Sequence, residues 1–268
     1  MPDYVLGTSD LEHQRLVRQA SILESQTEQL FRESGIGRGM RVLDLGSGVG
    51  DVAMIAARLV GPSGRVVGID KDAKALTKAR ARVNAAGYSN ISFECCDLAN
   101  LPQRDRFDAA VGRLILMYVS DLSPLLRSLQ ALVRSGGILA FQEASWASIV
   151  GVVADLPLRH ATTVMCRDTL ERGGGRTECE LFLHRGFVSA GLPSPILRHD
   201  IRLGTSPDVR EWIADLAAML WNQSGELGVR RDHLGDPETL PARLDAELDS
   251  TNAIAAGPGV ISAYCRCP

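Results

Sequence analysis

The sequence predicts an α/β fold built on a doubly wound, mostly parallel β-sheet. Five short apolar runs alternate with segments of helical periodicity between residues 41 and 142. The first run ends in a glycine cluster that opens a helical segment. Strands that alternate with helices pair in parallel through right-handed crossovers, which is typical of this fold class.

The predicted elements follow from apolar periodicity and from turn residues. Residues 9–34 read as one or two amphipathic helices that end at Gly35 and Gly37. Strands are predicted at residues 41–45, 65–69, 91–94, 107–112 and 138–142, and helices at residues 51–60 and 73–86. A further helix is expected to begin with Ser123 as N-cap and Pro124 as first residue.

The second half of the chain has a looser pattern. Residues 145–176 contain Pro157 and three consecutive glycines, which predicts a mobile cover more than a core element. Beyond them we predict a helix at 181–190, a strand at 196–203, helices at 207–222 and 237–250, and a last strand at 260–267.

Composition narrows the function classes. The net charge is −3, from 29 basic and 32 acidic residues scattered along the chain, so no basic stripe for nucleic acid is expected. The sequence has neither a long apolar run nor an apolar signal core, which favours a cytoplasmic protein without a membrane partner. The six cysteines do not match paired C-x-x-C spacing, so we expect reduced thiols and no metal site.

The most informative segment is residues 42–50, VLDLGSGVG. Asp44 lies near the end of a predicted strand, just before a G-x-G-x-G turn. Glycines let a backbone approach a ligand closely, and a carboxylate beside them favours a cationic group over a pyrophosphate. The dinucleotide fingerprint instead reads G-x-G-x-x-G with its acid about 20 residues later, which disfavours an NAD-dependent oxidoreductase.

This segment resembles motif I of class I S-adenosylmethionine-dependent methyltransferases. Three further stretches have the order and spacing of that family: Asp70 at the end of the second strand, Asp97 after the third, and residues 107–113 in the fourth. The resemblance extends from about Gly39 to Glu143. Residues 112–118 and 141–143 are similar to a bacterial small-molecule branch related to ubiquinone/menaquinone-biosynthesis enzymes.

The family implies a seven-stranded sheet with a reversed last strand, and S-adenosylmethionine as the cofactor, with S-adenosylhomocysteine as its product. In that reading Asp44 holds the ligand's ammonium group, Asp70 accepts from the ribose hydroxyls and Asp97 accepts from the adenine amino group. Arg113 either grips the methionine carboxylate or pairs with Asp108 or Asp121. The complete expected cofactor set is Asp44, Gly46, Ser47, Gly48, Asp70, Lys71, Cys96, Asp97, Leu98, Arg113 and Gln19.

Catalytic residues are harder to predict, because in-line methyl transfer mainly requires alignment and desolvation of the reactants. Glu143, at the end of the fifth strand, is a candidate base or substrate anchor, and equally a carboxylate that caps a loop. His184 and His160 are candidate bases, although a single histidine is more often a surface or core residue. Tyr4 is a candidate for the pocket wall or for packing.

The sequence thus predicts one methyltransferase domain over residues 1–268. It comprises an N-terminal helical cover at 1–37, a cofactor-binding half at 38–144 and a substrate-covering and C-terminal half at 145–268. The expected acceptor is a small apolar metabolite such as a quinone-like compound, with O-methylation favoured over C- or N-methylation. A catalytically silent binding subunit is the main alternative, and the helical additions either pair two subunits as a homodimer or only cover the pocket.

Overall fold

The computed structural model describes residues 10–101 and 106–268, and within these ranges the chain forms seven strands. We number them β1 to β7 along the chain: Arg41–Leu45, Arg65–Asp70, Ile91–Cys95, Phe107–Arg113, Val133–Ala144, Ile196–Gly204 and Ala255–Arg266.

The same ranges contain nine α-helices, numbered α1 to α9: Asp10–Ser34, Asp51–Val60, Ala73–Ala85, Leu122–Leu132, Ala147–Val152, Pro157–Arg172, Glu180–Ser189, Pro207–Glu226 and Leu240–Thr251. None of these nine helices combines the length and the apolar composition that a membrane span requires.

The strands form one sheet in the order β3-β2-β1-β4-β5-β7-β6. β1 pairs in parallel with β2 on one side and with β4 on the other, and β3 and β5 extend the parallel region. β7 is antiparallel to β5. At its end, Gly136 N–H donates to the carbonyl of Cys267, the residue that follows β7, and Cys267 N–H donates to the carbonyl of Gly137. The predicted seven-stranded, doubly wound sheet with a reversed last strand is therefore confirmed.

The strand order fixes where a ligand site is expected. The chain winds outward from β1 in one direction through β2 and β3, then returns to the other side of β1 through β4 and β5. In open α/β sheets, ligands bind beyond the carboxyl ends of the strands at such a reversal. A ligand site is therefore expected at the carboxyl ends of β1, β2 and β4.

The described residues divide into two compact units. The sheet unit comprises Leu23–Glu143, Glu180–Arg198 and Ile261–Pro268, and the helical unit comprises the described residues up to Ile22, Ala144–Cys179 and His199–Val260. One division, after Glu143, lies one residue from the predicted boundary at 144. The single-domain organisation itself stays a prediction.

Aliphatic packing anchors β1 and β2 of the sheet unit on α2. α2 buries Ile55, Ala56 and Val60 in a cluster that also contains Val42 of β1 and Val66 of β2. Burying one such aliphatic side chain contributes about 1.5–3 kcal/mol. The loops at the strand ends therefore project from a rigid platform.

Several boundaries differ from the prediction: β7 begins at Ala255 instead of residue 260, α9 begins at Leu240 instead of residue 237, and the starts of α4 and β5 have identifiable causes. α4 begins at Leu122, with Asp121 as N-cap accepting from Ser123 N–H at 2.9 Å, so the predicted Ser123 cap is wrong. β5 runs through Gly136 and Gly137, which were expected to lie before the strand. Hydrogen bonds with Cys267, the residue that follows β7, satisfy these glycines and extend the strand.

The expected mobile cover at residues 145–176 is instead largely helical. Pro157 is the first residue of α6, a position where its missing N–H is not needed, and Gly173 ends that helix. α6 buries Met165, Cys166 and Leu170 and packs on α8 within the helical unit. The residues read as helix breakers therefore delimit a helix.

Candidate active site

Asp44 is a buried carboxylate near the end of β1. It is 0% exposed on β1, and neither carboxylate oxygen has a hydrogen-bond partner in the described part of the chain. Burial raises the pKa of Asp44 well above its usual range, while the nearby Arg113 guanidinium acts in the opposite direction. A carboxylate in this state is costly unless a ligand supplies a donor. Its two free acceptors fit a ligand ammonium group.

The glycine turn after β1 is covered at Gly46 and open at Gly48. Gly46, Gly48 and Gly50 have φ values of +61°, +51° and +91°, which favour residues without a Cβ atom. A Cβ atom on Gly46 would lie 2.6 Å from Ile115 Cδ1, whereas one on Gly48 would meet no atom closer than 4.0 Å. Ser47 lies between them, buried, with its hydroxyl lacking a partner within residues 10–101 and 106–268.

Asp70 ties this turn to the end of β2. Its Oδ2 accepts from Gly48 N–H at 2.8 Å, and its Oδ1 accepts from Asp72 N–H at 2.8 Å. Burial raises the pKa of Asp70, although these backbone donors oppose the shift. Each carboxylate oxygen retains a second lone pair, and the residue is partly exposed. Asp70 is therefore able to accept two vicinal hydroxyl groups.

The segment after β3 lies against the end of β2. Cys96 N–H donates to the Asp70 carbonyl at 2.9 Å, and the Cys95 thiol donates to the Lys71 carbonyl at 3.6 Å. Asp97 is exposed and accepts from Ala99 N–H at 2.9 Å, which caps a short 3₁₀ turn that begins at the buried Leu98. These contacts bring the predicted residues Asp70, Lys71, Cys96, Asp97 and Leu98 to one edge of the sheet.

Arg113, the last residue of β4, is held by a buried polar chain. Its Nη1 donates to Thr27 Oγ1 at 3.0 Å, Thr27 Oγ1 lies 2.8 Å from Gln142 Oε1, and Gln142 Nε2 donates to Ser262 Oγ at 3.2 Å. The last three residues are at most 1% exposed. The chain spans α1, β5 and β7, so three elements orient one guanidinium group.

Neither predicted ion pair of Arg113 forms. The two oxygens of Asp108 accept from Arg134 Nε and from Arg41 N–H, while Asp121 caps α4. Burial lowers the pKa of Arg113, and Asp51 and Asp44 favour its charged form. The Arg113 guanidinium therefore interacts electrostatically with Asp44. It also has N–H donors in addition to the one that Thr27 accepts.

Glu143 was expected to be either a base or substrate anchor, or a carboxylate that caps a loop. The structure shows the contacts of a loop cap. It is 0% exposed and accepts from the N–H groups of Ile115, Leu116 and Met117 at 3.3, 3.0 and 3.1 Å. Burial raises its pKa to about 7. The carboxylate thereby fixes the loop that follows β4 and that covers Gly46 through Ile115. Its catalytic role stays a prediction.

The remaining candidates lie elsewhere in the chain. His184 is half-buried on α7, a helix that packs on α4, and His160 belongs to α6 of the helical unit. Gln19 also belongs to the helical unit, where its side-chain oxygen accepts from Arg15. Tyr4 lies outside the described residues. The catalytic role of His184 and the cofactor contact of Gln19 stay predictions.

Sequence reasoning missed four residues that shape this site. Thr27, Gln142 and Ser262 orient Arg113, and Ile115 closes over Gly46. Gln142 gave a detectable signal, since it is an amide within an otherwise apolar strand. Nothing in the local sequence marks Thr27 or Ser262, because their roles depend on the packing of distant elements.

Comparison with known proteins agrees with this geometry. A family model described as a methyltransferase domain matches residues 36–173, just over half of the chain. A ubiquinone/menaquinone biosynthesis C-methyltransferase from Cellvibrio japonicus is 39% identical over 114 residues, 42% of this chain and 46% of that relative. An arsenite methyltransferase from Aquipseudomonas alcaligenes is 37% identical over 113 residues, 39% of this chain and 33% of that relative.

The chain thus spans less than half the length of the curated relatives it matches. Among solved structures, a putative methyltransferase from Bacillus halodurans matches with a TM-score of 0.58 at 16% identity, and the match covers 91% of this chain and 99% of that protein. This likeness extends the fold assignment beyond the matched family region. The chain therefore belongs to the methyltransferase-domain family and has the fold of class I S-adenosylmethionine-dependent methyltransferases.

Proposed function

We propose that this chain transfers a methyl group from S-adenosylmethionine to a small organic acceptor. The observation that carries the proposal is the buried, unpartnered carboxylate of Asp44 behind the glycine turn. A protein retains such a costly group where a ligand compensates for it, and an α-ammonium group does so. The same carboxylate would repel the negatively charged pyrophosphate of a dinucleotide.

The other residues of the sheet edge complete a site for the same ligand. Asp70 supplies acceptors for the ribose hydroxyls, the segment Cys96–Leu98 borders the adenine, and Arg113 supplies donors to the methionine carboxylate. When bound, S-adenosylmethionine supplies an activated methyl group. The protein's own contribution is to orient the reactants and to exclude water, with Glu143 holding the loop over Gly46.

For the acceptor, we propose a small, largely apolar molecule with a nucleophilic oxygen or carbon. The scattered charge of the sequence argues against a phosphate-rich acceptor and supports an apolar one. The sequence favours transfer to oxygen, whereas the name of the Cellvibrio relative, a C-methyltransferase, supports transfer to carbon. Quinol-like compounds present both atoms and are the first acceptors to test. Glu143 and His184 are the proposed groups to assist deprotonation of such an acceptor.

A calorimetric titration with two ligands tests the cofactor assignment. S-adenosylhomocysteine carries the amino-acid part, while 5′-methylthioadenosine lacks it. We expect Asp44→Asn to weaken binding of S-adenosylhomocysteine by roughly tenfold or more and to leave methylthioadenosine unchanged. Asp70→Ala should weaken both ligands. If neither ligand binds the wild type, the silent-subunit alternative replaces this proposal.

The methylated atom is read from a labelled product. The protein is incubated with S-adenosylmethionine carrying a ¹³C-methyl group and with a set of quinols, and the product is examined by carbon NMR. O-methyl and C-methyl carbons resonate in separate ranges, so one spectrum decides between them. The absence of label in every quinol, while the cofactor still binds, would contradict the acceptor class alone.

A further inference from the structure

The helical unit contains an open cleft of about 480 Å³ that the proposed function does not use. One wall is a single face of α6, and the other is the segment between α8 and α9. Every residue that lines the cleft belongs to the helical unit, whereas Asp44, Asp70 and Asp97 belong to the sheet unit. The cleft is therefore built from different residues than the cofactor site.

The α6 wall is arranged by helical spacing. His160, Val164, Asp168 and Arg172 recur every four residues, so they form one stripe along the helix. Val164 and Met165 of α6, with Ala161 and with Val229 opposite, give the cleft an apolar floor. A ligand with a hydrocarbon or aromatic part would bury that part here.

The rim of the cleft carries an excess of positive charge. Arg172 Nη1 donates to the carbonyls of Leu227 and Gly228 at 2.9 and 2.8 Å, which fixes its guanidinium beside the segment after α8. Arg230 is exposed on the opposite wall and makes no ion pair among the described residues. Asp168, the acidic residue of the lining, is already paired with Arg167 at 2.7 Å.

Two histidines complete the rim, His160 on α6 and His233 on the facing segment. Both offer ring nitrogens as donors, and neither side chain has a partner within residues 10–101 and 106–268. Two guanidinium groups and two imidazoles around an apolar floor are complementary to an anionic head on an apolar body.

We propose that this cleft is a second ligand site, for a small organic anion with an apolar skeleton such as an aromatic carboxylate. The inference depends on the cleft alone and does not depend on the proposed methyl transfer. Arg230 and Arg172 bind the anionic group from opposite walls, and Val164, Met165 and Val229 contact the apolar part.

The test compares two probes that differ in charge, 2-naphthoate and 2-naphthalenemethanol, by calorimetry with saturating S-adenosylhomocysteine present. We expect saturable binding of the carboxylate and at least about threefold weaker binding of the alcohol. Arg230→Gln should weaken the carboxylate about three- to fivefold, and Arg230→Glu should weaken it further. Neither variant should change the affinity for the alcohol.

Arg38, an exposed arginine of the sheet unit, provides the matched controls Arg38→Gln and Arg38→Glu, which should bind the carboxylate as the wild type does. Equal affinity for carboxylate and alcohol, wild-type affinity in Arg230→Glu, or no saturation by the carboxylate would each overturn the proposal. Because Arg230 is exposed, its variants should fold, which circular dichroism verifies.

Discussion

The backbone N–H of Gly48 donates to Oδ2 of Asp70 at 2.8 Å, which joins the glycine turn after β1 to the end of β2. The same carboxylate accepts from Asp72 N–H, so Asp70→Ala leaves two partly buried donors without a partner. We expect a loss of about 1 kcal/mol in the free energy of unfolding, since relief of the buried charge offsets part of the lost bonding. Urea denaturation measures it. Asp70→Asn, which keeps one acceptor oxygen, should lose less than Asp70→Ala.

Asp44→Asn should stabilise the protein when no ligand is bound. The Asp44 carboxylate is buried with no hydrogen-bond partner among the described residues, and burial raises its pKa. Removing the charge should raise the free energy of unfolding by about 1–3 kcal/mol near neutral pH. Urea denaturation at pH 7.5 checks this result. Because the folded state holds the proton more tightly, the gain should shrink as the pH falls, and a gain that grows instead would contradict the role of the charge.

Glu143 should make stability depend on pH. Burial raises its pKa to about 7 from 4.5, so the folded state binds a proton that the unfolded state has released. Stability is then highest below the unfolded pKa and is lost as the pH rises through 7, by about 3 kcal/mol in total. Glu143→Gln should remove this decline. Urea denaturation from pH 5 to pH 8 compares the two slopes, and the exposed Glu211→Gln variant is the control.

Thr27→Val should affect the orientation of Arg113 while leaving the packed volume nearly unchanged. The hydroxyl of Thr27 accepts from Arg113 and lies against Gln142, which is 0% exposed. Loss of this bridge should cost about 1–3 kcal/mol of stability. It should also weaken binding of S-adenosylhomocysteine, but not of methylthioadenosine, if Arg113 binds the carboxylate. Thr77→Val, on the exposed side of α3, is a matched control that should change neither quantity.

Gly46→Ala should destabilise the protein more than Gly48→Ala does. Both glycines have positive φ, which costs a residue with a Cβ about 1 kcal/mol, but only at Gly46 would the added atom approach Ile115 to 2.6 Å. We expect a difference of about 1–2 kcal/mol between the two variants by thermal denaturation. Adding Ile115→Ala to Gly46→Ala should recover part of that difference. Equal losses in the two single variants would show that the loop after β4 does not close over Gly46.

Local sequence determined the regular elements and the residues at the strand ends. The apolar run of β1, the glycine turn and the helix α2 were predicted with the bounds observed, because each depends on neighbours within a few residues. Asp44 was predicted from the glycine turn beside it, and Asp70 and Asp97 from the order of the family's motifs. The structure places all three at the carboxyl ends of neighbouring parallel strands, and their contacts with the cofactor stay predictions. Composition also gave the scattered charge that argues against nucleic acid.

Tertiary structure decided whatever depends on pairing between distant segments. Cys267 satisfies Gly136 and Gly137, so β5 is longer than its apolar run, and Thr27, Gln142 and Ser262 meet Arg113 only because α1, β5 and β7 pack together. The loop-capping contacts of Glu143 likewise depend on three N–H groups about 27 residues away in the chain. A hydrogen bond forms between groups that are close in space. A single sequence therefore predicts the partner only when the two residues are also close along the chain.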